Sequence, residues 1–404
     1  MRWRMRFVEK GRHQREATFH RVNVSHPEFD ASSARNQRFI RRLYSPRSSH
    51  KQRSHQQMQG KAMNQLLSNA SLRSAVVSIA LLSSSAVIAQ AVHVSTFASG
   101  SGVNATAPDS IAVSRKSLWV SYTNGAESHG LSGSSTVVQY NLKSGMVRST
   151  YSLAGSVDGL KIDPSTGIVW ALQNQDGNST LTLIDPDEQT VSKPIAYAVQ
   201  SAARGIDDVA FRMDQTFLSY TNPVGPGDPT ILLVQNGSNP IATTPILLAG
   251  ANGTDLSTGL PNQPTAQGDP DSLKLTPYGD LMLSSGGNAQ LIFVSKPGTA
   301  SQSVSFLTLL DQAKQPVADL DDAAFATAHK GTFFLADTGN NRVLKIDADG
   351  LSVGSLYASV SSLSALVSVD RKTGIVTPLV GNLKGPHGLQ FVARTEEDED
   401  SQDD

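Results

Sequence analysis

The stretch Asp158-Gly159-Leu160-Lys161-Ile162 has a form that recurs along the chain: Asp, a small or acidic residue, an apolar residue, any residue, and an apolar residue. We call this form the Asp phrase. Four further copies, and a sixth in which His replaces the Asp, are Asp109-Ser110-Ile111-Ala112-Val113, Asp207-Asp208-Val209-Ala210-Phe211, Asp271-Ser272-Leu273-Lys274-Leu275, Asp321-Asp322-Ala323-Ala324-Phe325 and His387-Gly388-Leu389-Gln390-Phe391. Their spacings of 49, 49, 64, 50 and 66 residues indicate an internal repeat.

Each phrase is followed by further short runs typical of β-strands, separated by turns rich in Gly, Pro, Asn, Asp and Ser. A second run comes about ten residues later, as Leu118-Trp119-Val120, Val169-Trp170-Ala171, Phe217-Leu218-Ser219, Leu281-Met282-Leu283 and Phe333-Phe334-Leu335. A third run follows, as in Val137-Val138-Gln139-Tyr140, Leu181-Thr182-Leu183-Ile184 and Leu366-Val367-Ser368-Val369, and a fourth leads to the next phrase. Four strands in about 50 residues are typical of one blade of a β-propeller.

We therefore predict an all-β fold, a six-bladed β-propeller of four-stranded antiparallel blades. A single blade has two apolar faces that it cannot bury, whereas a ring of blades covers each face with a neighbour. Residues 92–97 resemble a fourth strand and residues 385–392 a first strand, so one blade is expected to join the two ends of the propeller. Residues 320–392 are ambiguous, which leaves five or seven blades as alternatives, and residues 250–268 are expected to form a loop.

The sequence before the repeats predicts a targeting segment for export. Residues 63–91 combine the positive charge of Arg73, an apolar stretch over 74–88 and Ala89-Gln90-Ala91, the three parts of a secretory signal peptide. We divide the chain into 1–62, a disordered basic extension or a mis-assigned start, the signal peptide 63–91, the propeller 92–394 and an acidic disordered tail 395–404. The protein is then secreted or periplasmic, with no integral membrane span after cleavage.

Charge and cysteine content exclude several classes of function. From residue 92 onward the chain has 18 Lys and Arg against 31 Asp and Glu, and seven of those acids follow Thr395. A mildly acidic body without basic clusters argues against nucleic acid as a partner. The absence of cysteine excludes disulfides, thiolate metal sites and a cysteine nucleophile. We expect a monomer whose partner is an extracellular protein, a glycan or a small molecule.

One hairpin resembles a known repeat. The run Phe334-Leu335-Ala336-Asp337-Thr338-Gly339-Asn340-Asn341-Arg342-Val343-Leu344-Lys345-Ile346-Asp347 is similar to an NHL repeat, and Gly385-Pro386-His387-Gly388-Leu389 resembles the start of one. The wider resemblance is to the six-bladed superfamily of NHL proteins, strictosidine-synthase-like proteins and gluconolactonase or senescence-marker-type lactonases. NHL repeats imply a binding platform. The lactonases imply a channel cation held by a Glu, two Asn and an Asp, but before the tail this body contains only Glu127 and Glu188.

The register of the phrases points to a candidate metal site. If each phrase opens the innermost strand of its blade, the side chains of five Asp and one His meet at one rim of the channel: Asp109, Asp158, Asp207, Asp271, Asp321 and His387. Carboxylates at close quarters repel unless a cation compensates them, and Ca²⁺ prefers such oxygen ligands. The alternative is that each Asp caps a turn by accepting backbone N–H groups.

Two functions follow from these observations. The first is a secreted, non-catalytic scaffold that binds a ligand through its loops, with an optional divalent cation, Ca²⁺, in the channel. The alternative is a metal-dependent lactonase, esterase or lyase in which His387 acts as acid or base and the metal polarises a carbonyl. Because Glu and His are scarce, the sequence favours binding.

Overall fold

In the computed structural model, the described residues are 91–394 except 115 and 200. The expected extension 1–62, the signal peptide up to residue 90 and the acidic tail 395–404 lie outside them. Four short 3₁₀ helices, Gly100–Val103, Gly286–Asn288, Thr338–Asn340 and Ser361–Leu363, interrupt the strands of this part. No helix within it has the length and apolar character needed to cross a membrane.

The strands follow one another in six groups. The described part of the chain starts with β1 (Ala91–Ser99) and then forms the first blade from β2 (Pro108–Val113), β3 (Ser117–Tyr122), β4 (Ser134–Asn141) and β5 (Val147–Ala154). The second blade contains β6 (Val157–Ile162), β7 (Val169–Gln173), β8 (Thr180–Asp185), β9 (Thr190–Val191) and β10 (Ile195–Ala196). The third contains β11 (Ile206–Arg212), β12 (Gln215–Tyr220), β13 (Pro229–Gln235) and β14 (Ala242–Leu248).

The remaining strands build three more blades. The fourth contains β15 (Asn252–Asp255), β16 (Gln263–Pro264), β17 (Pro270–Leu275), β18 (Leu281–Ser285), β19 (Gln290–Ser295) and β20 (Ser303–Thr308). The fifth contains β21 (Leu320–Phe325), β24 (Leu356–Val360), β25 (Ala365–Val369) and β26 (Val376–Val380). The sixth contains β22 (Lys330–Asp337), β23 (Arg342–Asp349) and β27 (Pro386–Ala393), together with β1. The six sheets confirm an all-β, six-bladed propeller of mostly four-stranded antiparallel blades.

The six phrases form the inner edge of the ring, as the repeat predicts. Each lies on the innermost strand of its sheet, and neighbouring inner strands contact one another all the way round: β2, β6, β11, β17, β21, β27 and back to β2. In the described part of the chain, six apolar clusters fill the six gaps between neighbouring blades. Trp119 and Trp170, 1% and 2% exposed, are among the largest of these buried side chains. The core therefore lies between blades, because only a neighbour can cover a blade's apolar face.

Both ends of the propeller belong to one sheet, which confirms the expected closure. The sixth blade has the order β1-β23-β22-β27, with the first described strand on its outer edge and the last on its inner edge. β1 pairs with β23 from Ala91↔Asp349 to Ser99↔Arg342. β27 pairs with β22 from Gly331↔Ala393 to Asp337↔Pro386. Separating the sixth blade from the first therefore requires breaking the whole pairing of β1 with β23.

The assignment of Phe333-Phe334-Leu335 as the second strand after Asp321 is wrong. That run lies in β22 and pairs with β27 in the sixth blade, while the fifth blade has the order β21-β24-β25-β26. In the sixth blade Phe333 packs on Phe391 with ring centroids 4.9 Å apart and Phe334 on Phe97 at 5.1 Å, and Phe333 also contacts Tyr357 of the fifth blade at 4.7 Å. The chain therefore leaves the fifth blade after β21, builds the middle of the sixth, and returns.

The expected loop over 250–268 also contains strand structure. β15 and β16 form a short hairpin, and β15 pairs in parallel with β20 on the outer edge of the fourth blade. Its residues are polar or glycine and lack the alternation of a half-buried strand, so the sequence indicated only a loop.

The NHL-like segment is a clamp between β22, β23 and the start of the last strand. The fully buried carboxylate of Asp337 accepts hydrogen bonds from Asn340 Nδ2 at 2.9 Å and from Arg342 Nε at 2.8 Å. It also accepts one from Lys384 N at 2.8 Å. The Asp, Asn and Arg of the motif thus secure the turn on the same face as the first residues of the phrases.

Candidate functional site

The first residues of the six phrases meet at one mouth of the central channel. We call this set the acidic ring: Asp109, Asp158, Asp207, Asp271, Asp321 and His387. In every blade the ladder between the inner strand and its neighbour has an irregularity at the ring residue. A regular strand alternates its side chains between faces, whereas a bulge can aim two consecutive side chains to one side. These bulges let the first and second residues of a phrase both line the channel.

One half of the ring is compensated by His387. Its Nδ1 lies 3.0 Å from Asp109 Oδ1 and 3.0 Å from Asp321 Oδ2. The negative charge of Asp321, together with the hydrogen bonds to both carboxylates, raises the pKa of His387 to about 12 even though burial opposes this. The imidazole is therefore a cation at neutral pH and bridges the first and fifth blades.

The other half of the ring has no such counter-ion among the described residues. One carboxylate oxygen from each of Asp158, Asp207 and Asp271 lies within 4.8 Å of the other two. We call these three residues the Asp triad. Burial raises the pKa of each carboxyl well above its usual range, and neighbouring carboxylates raise it further. The triad is thus a place where either protons or a cation must balance negative charge.

The space enclosed by these carboxylates is small. A cavity of about 20 Å³ is lined by the five Asp of the acidic ring and by the residues that follow them, including Asp208 and Asp322. A cavity that holds one water molecule needs roughly 10–15 Å³. The channel mouth therefore has room for one ion or one water molecule.

Further carboxylates surround the mouth above the triad. Asp269, two residues before the fourth phrase, has a pKa raised by burial and by the charges of Asp176 and Asp319. Asp176 is oriented by a hydrogen bond of 2.8 Å from Asn222 Nδ2. These three acids extend the negative potential of the triad outward, over blades two to five.

The second residues of the phrases, rather than the first, cap backbone groups. Asp208 accepts hydrogen bonds from Val209 N at 2.8 Å and from Leu273 N of the next blade at 2.9 Å. Asp322 does the same with Ala323 N and Leu389 N, both at 2.7 Å. Within the described part of the chain, no backbone N–H donates to a carboxylate of the acidic ring. The turn-capping alternative therefore describes the neighbours of the ring, and the carboxylates of the Asp triad accept no backbone hydrogen bond from the described residues.

Two lysines occupy the channel below the ring, and neither was among the residues predicted from the sequence. Lys161 Nζ lies 2.6 Å from Asp208 Oδ2, and Lys274 Nζ lies 2.7 Å from Asp322 Oδ2. Burial lowers the pKa of both amines, and the neighbouring carboxylates raise it. For Lys161 the carboxylates have the larger effect and its pKa is raised, whereas for Lys274 burial has the larger effect and its pKa is lowered. The sequence contained a pattern that could have predicted these ion pairs. Lys161 and Lys274 are the fourth residues of the second and fourth phrases, and Asp208 and Asp322 are the second residues of the phrases that follow them.

The raised pKa values make the metal-free protein less stable as pH rises. A carboxyl group whose pKa is raised above 3.8 in the folded protein holds its proton to a higher pH than it does in the unfolded chain. Between the unfolded and the folded pKa, the free energy of unfolding therefore decreases as pH rises. The contribution of His387 is complete below its ordinary value of 6.5 and decreases toward about 12. We expect the Tm in EDTA to fall between about pH 5 and pH 8.

Thermal denaturation across that range measures this dependence. The variant Asp158→Asn/Asp271→Asn should show a smaller slope, because two of the groups responsible can no longer bind or release a proton. A Tm in EDTA that rises with pH over the same interval would contradict the assignment.

Comparison with known proteins finds propellers of several activities. No protein-family model and no curated protein matches the chain. Among solved structures it is similar to virginiamycin B lyase from Staphylococcus aureus, with 13% identity over 75% of this chain and 96% of that one and a TM-score of 0.42. It is also similar to a periplasmic gluconolactonase from Pseudomonas aeruginosa, with 12% identity over 71% of this chain and 88% of that one and a TM-score of 0.43. A protein of unknown function from Bacteroides thetaiotaomicron has 12% identity over 73% of this chain and 66% of its own, with a TM-score of 0.45. The similarity is one of fold.

Proposed function

We propose that this chain is an exported β-propeller that works as a binding protein, organised around one divalent cation, Ca²⁺, at the mouth of its channel. The observation that supports this is the Asp triad, one buried and two half-buried carboxylates with raised pKa values beside a cavity of about 20 Å³. Its ligand is an extracellular protein, a glycan or a small molecule that reaches the mouth through the loops of the same rim.

The dimensions of the triad suit Ca²⁺. Two oxygens on opposite sides of a Ca²⁺ ion are about 4.6–5.2 Å apart, since each Ca–O bond is about 2.3–2.6 Å. One oxygen from each triad carboxylate lies within 4.8 Å of the other two. Three carboxylates supply three to six of the six to eight oxygens that Ca²⁺ takes, so positions remain for water or for an oxygen of the ligand.

His387 favours binding over acid–base catalysis. Because its Nδ1 is shared between Asp109 and Asp321 and its pKa is about 12, it does not accept a proton at neutral pH. Its role in this proposal is to neutralise one half of the acidic ring, so that a single cation is enough for the other half.

A metal-dependent hydrolase or lyase acting on a lactone or ester is the second candidate. The coordination positions left open by the triad favour it, because a cation there could polarise a carbonyl oxygen. Turnover of a lactone and ester panel that stops with EDTA and returns with Ca²⁺ would replace the binding proposal by this one.

Calcium is expected to stabilise the protein. Purified protein in EDTA should gain about 2.7 kcal/mol when free Ca²⁺ reaches a hundredfold excess over its Kd, which in a domain of this size raises the Tm by about 5 °C. The gain should be larger at pH 8 than at pH 5, because the ion must displace the protons held by the triad. Thermal denaturation with and without Ca²⁺ measures both effects.

Two variants separate the ring from surface charge. Asp158→Asn/Asp271→Asn should lose the response to Ca²⁺ while its Tm in EDTA equals or exceeds that of the wild type, because repulsion is relieved. Asp214→Asn, at an exposed turn between β11 and β12, removes charge far from the ring and should respond like the wild type. A wild-type Tm that is unchanged by Ca²⁺, Mg²⁺ and Mn²⁺ at pH 8 would overturn the proposal.

A further inference from the structure

A larger cavity lies between the first and second blades, on the face of the propeller opposite the acidic ring. It has a volume of about 450 Å³ and is bordered by turns that follow β2, β6 and β8. Asp109 and Asp158 stand at the other ends of β2 and β6, and a six-residue strand separates its ends by about 17 Å. The cavity is therefore distinct from the candidate cation site. Its volume falls within the range of small-molecule pockets, roughly 300–1,000 Å³.

One wall of this cavity presents an unpaired guanidinium group. Ser117, 4% exposed, accepts a hydrogen bond from Gln139 Nε2 at 3.0 Å, and Arg148 Nη1 lies 3.5 Å from the same hydroxyl oxygen. Within the described residues Arg148 forms no ion pair, so most of its five N–H donors are free. Guanidinium groups with free donors bind carboxylates through two parallel hydrogen bonds.

The opposite wall presents the exposed carboxylate of Asp187, which lies on a turn whose backbone is held in place. Asp187 lies on a turn fixed by the buried Asp185, whose Oδ1 accepts hydrogen bonds from Asp187 N at 3.0 Å and Glu188 N at 3.1 Å. Asp187 and Arg148 both line the cavity, yet these two described residues form no ion pair with each other. A ligand that bridges them must therefore offer an acceptor at one end and a donor at the other.

The remaining lining is partly apolar and partly hydroxyl. Ile162 supplies apolar surface, whereas the Trp119 ring, 1% exposed and stacked on Tyr151 with ring centroids 5.9 Å apart, borders the cavity but offers little surface of its own. Ser114, Ser149 and Gln189 add hydrogen-bonding groups around them. A rigid apolar surface with a few convergent polar groups is the usual character of a small-molecule site.

We propose that this cavity binds a small monocarboxylate that also carries a hydroxyl or ammonium group, with its carboxylate on Arg148 and its donor group on Asp187. A dicarboxylate is disfavoured because its second charge meets Asp187. A simple cation is disfavoured because it meets Arg148. The site needs no metal and does not depend on the acidic ring.

Ligand-observed NMR titrations with defined probes test the proposal. L-Serine represents ligands with an ammonium group and glycerate those with a hydroxyl group. Among the controls, acetate has only the carboxylate, glycerol has only hydroxyl groups, and succinate has two carboxylates. Serine, glycerate or both should bind at least about tenfold more tightly than acetate, glycerol and succinate. EDTA should change none of these affinities, which separates this result from that of the cation experiment.

Variants identify the groups responsible. Arg148→Gln should weaken binding of the better probe at least about tenfold, while Arg371→Gln, an exposed arginine on the turn between β25 and β26, should leave it unchanged. Asp187→Asn should improve the binding of succinate relative to serine. Equal affinities in wild type and Arg148→Gln, or no binding of any carboxylate up to about 50 mM, would overturn the proposal. Both arginines are exposed, so the variants are expected to fold.

Discussion

Replacement of Asp208 by alanine is expected to lower the free energy of unfolding by about 3–5 kcal/mol. Asp208 is 3% exposed and holds three groups at once: Lys161 Nζ at 2.6 Å, Val209 N at 2.8 Å and Leu273 N at 2.9 Å. Alanine leaves a buried ammonium without a partner and a buried N–H of the next blade without an acceptor. Chemical denaturation in urea measures the loss.

Two further variants show whether the loss comes from this network. Asp208→Ala/Lys161→Met should be more stable than Asp208→Ala alone, because the unpaired charge is gone. Asp214→Ala, exposed at the turn three residues after Phe211, should change stability by less than about 0.5 kcal/mol. If Asp208→Ala unfolds within about 1 kcal/mol of the wild type, the network does not join the blades as described.

Replacement of Gly159 by alanine is expected to cost about 3 kcal/mol and to disturb the ring beside it. A Cβ at this position would lie 2.0 Å from the carbonyl oxygen of Asp207 and 3.1 Å from Asp208 Cα, both on the backbone of the next blade. Backbone atoms cannot rotate away as a side chain can, so the inner strands must separate. The same movement displaces Asp158 relative to Asp207 and should weaken Ca²⁺ binding.

A second glycine provides the matched control. A Cβ added at Gly102 would have no other atom within 4 Å, so Gly102→Ala should keep both the Tm and the response to Ca²⁺. Gly388→Ala should behave like Gly159→Ala, since its Cβ would lie 2.4 Å from the carbonyl oxygen of Asp109. Urea denaturation and calcium titration of the three variants measure the difference, and a Gly159→Ala protein as stable as Gly102→Ala would contradict the close approach.

The repeat in the sequence was enough to predict where the acidic ring lies. An Asp phrase at regular spacing defines an equivalent strand in each blade, and equivalent strands in a closed ring bring equivalent residues together. The closure by residues 92–97 and 385–392 followed from the same pattern, because a lone fourth strand and a lone first strand complete one blade. These predictions depended only on local periodicity, which is present in the sequence.

Strand pairing in the last third of the chain was not predictable in this way. The pattern of β22 indicates a strand but not its neighbour, and the two choices, β21 and β27, both have apolar residues at the required positions. The observed neighbour is β27, which pairs Phe333 with Phe391, residues too far apart in sequence for a local pattern to connect.

The local pattern of the sequence is thus sufficient for the propeller fold, its closed ring and the six residues at its mouth. Which of these six are compensated depends on the folded ring, because His387 lies beside Asp109 and Asp321 only after the ring closes. The pairing of Lys161 with Asp208 and of Lys274 with Asp322, rather than with the ring, likewise arises only in the folded protein. Electrostatic compensation depends on distances of a few ångströms between residues far apart in sequence, whereas a repeat records only what each blade shares.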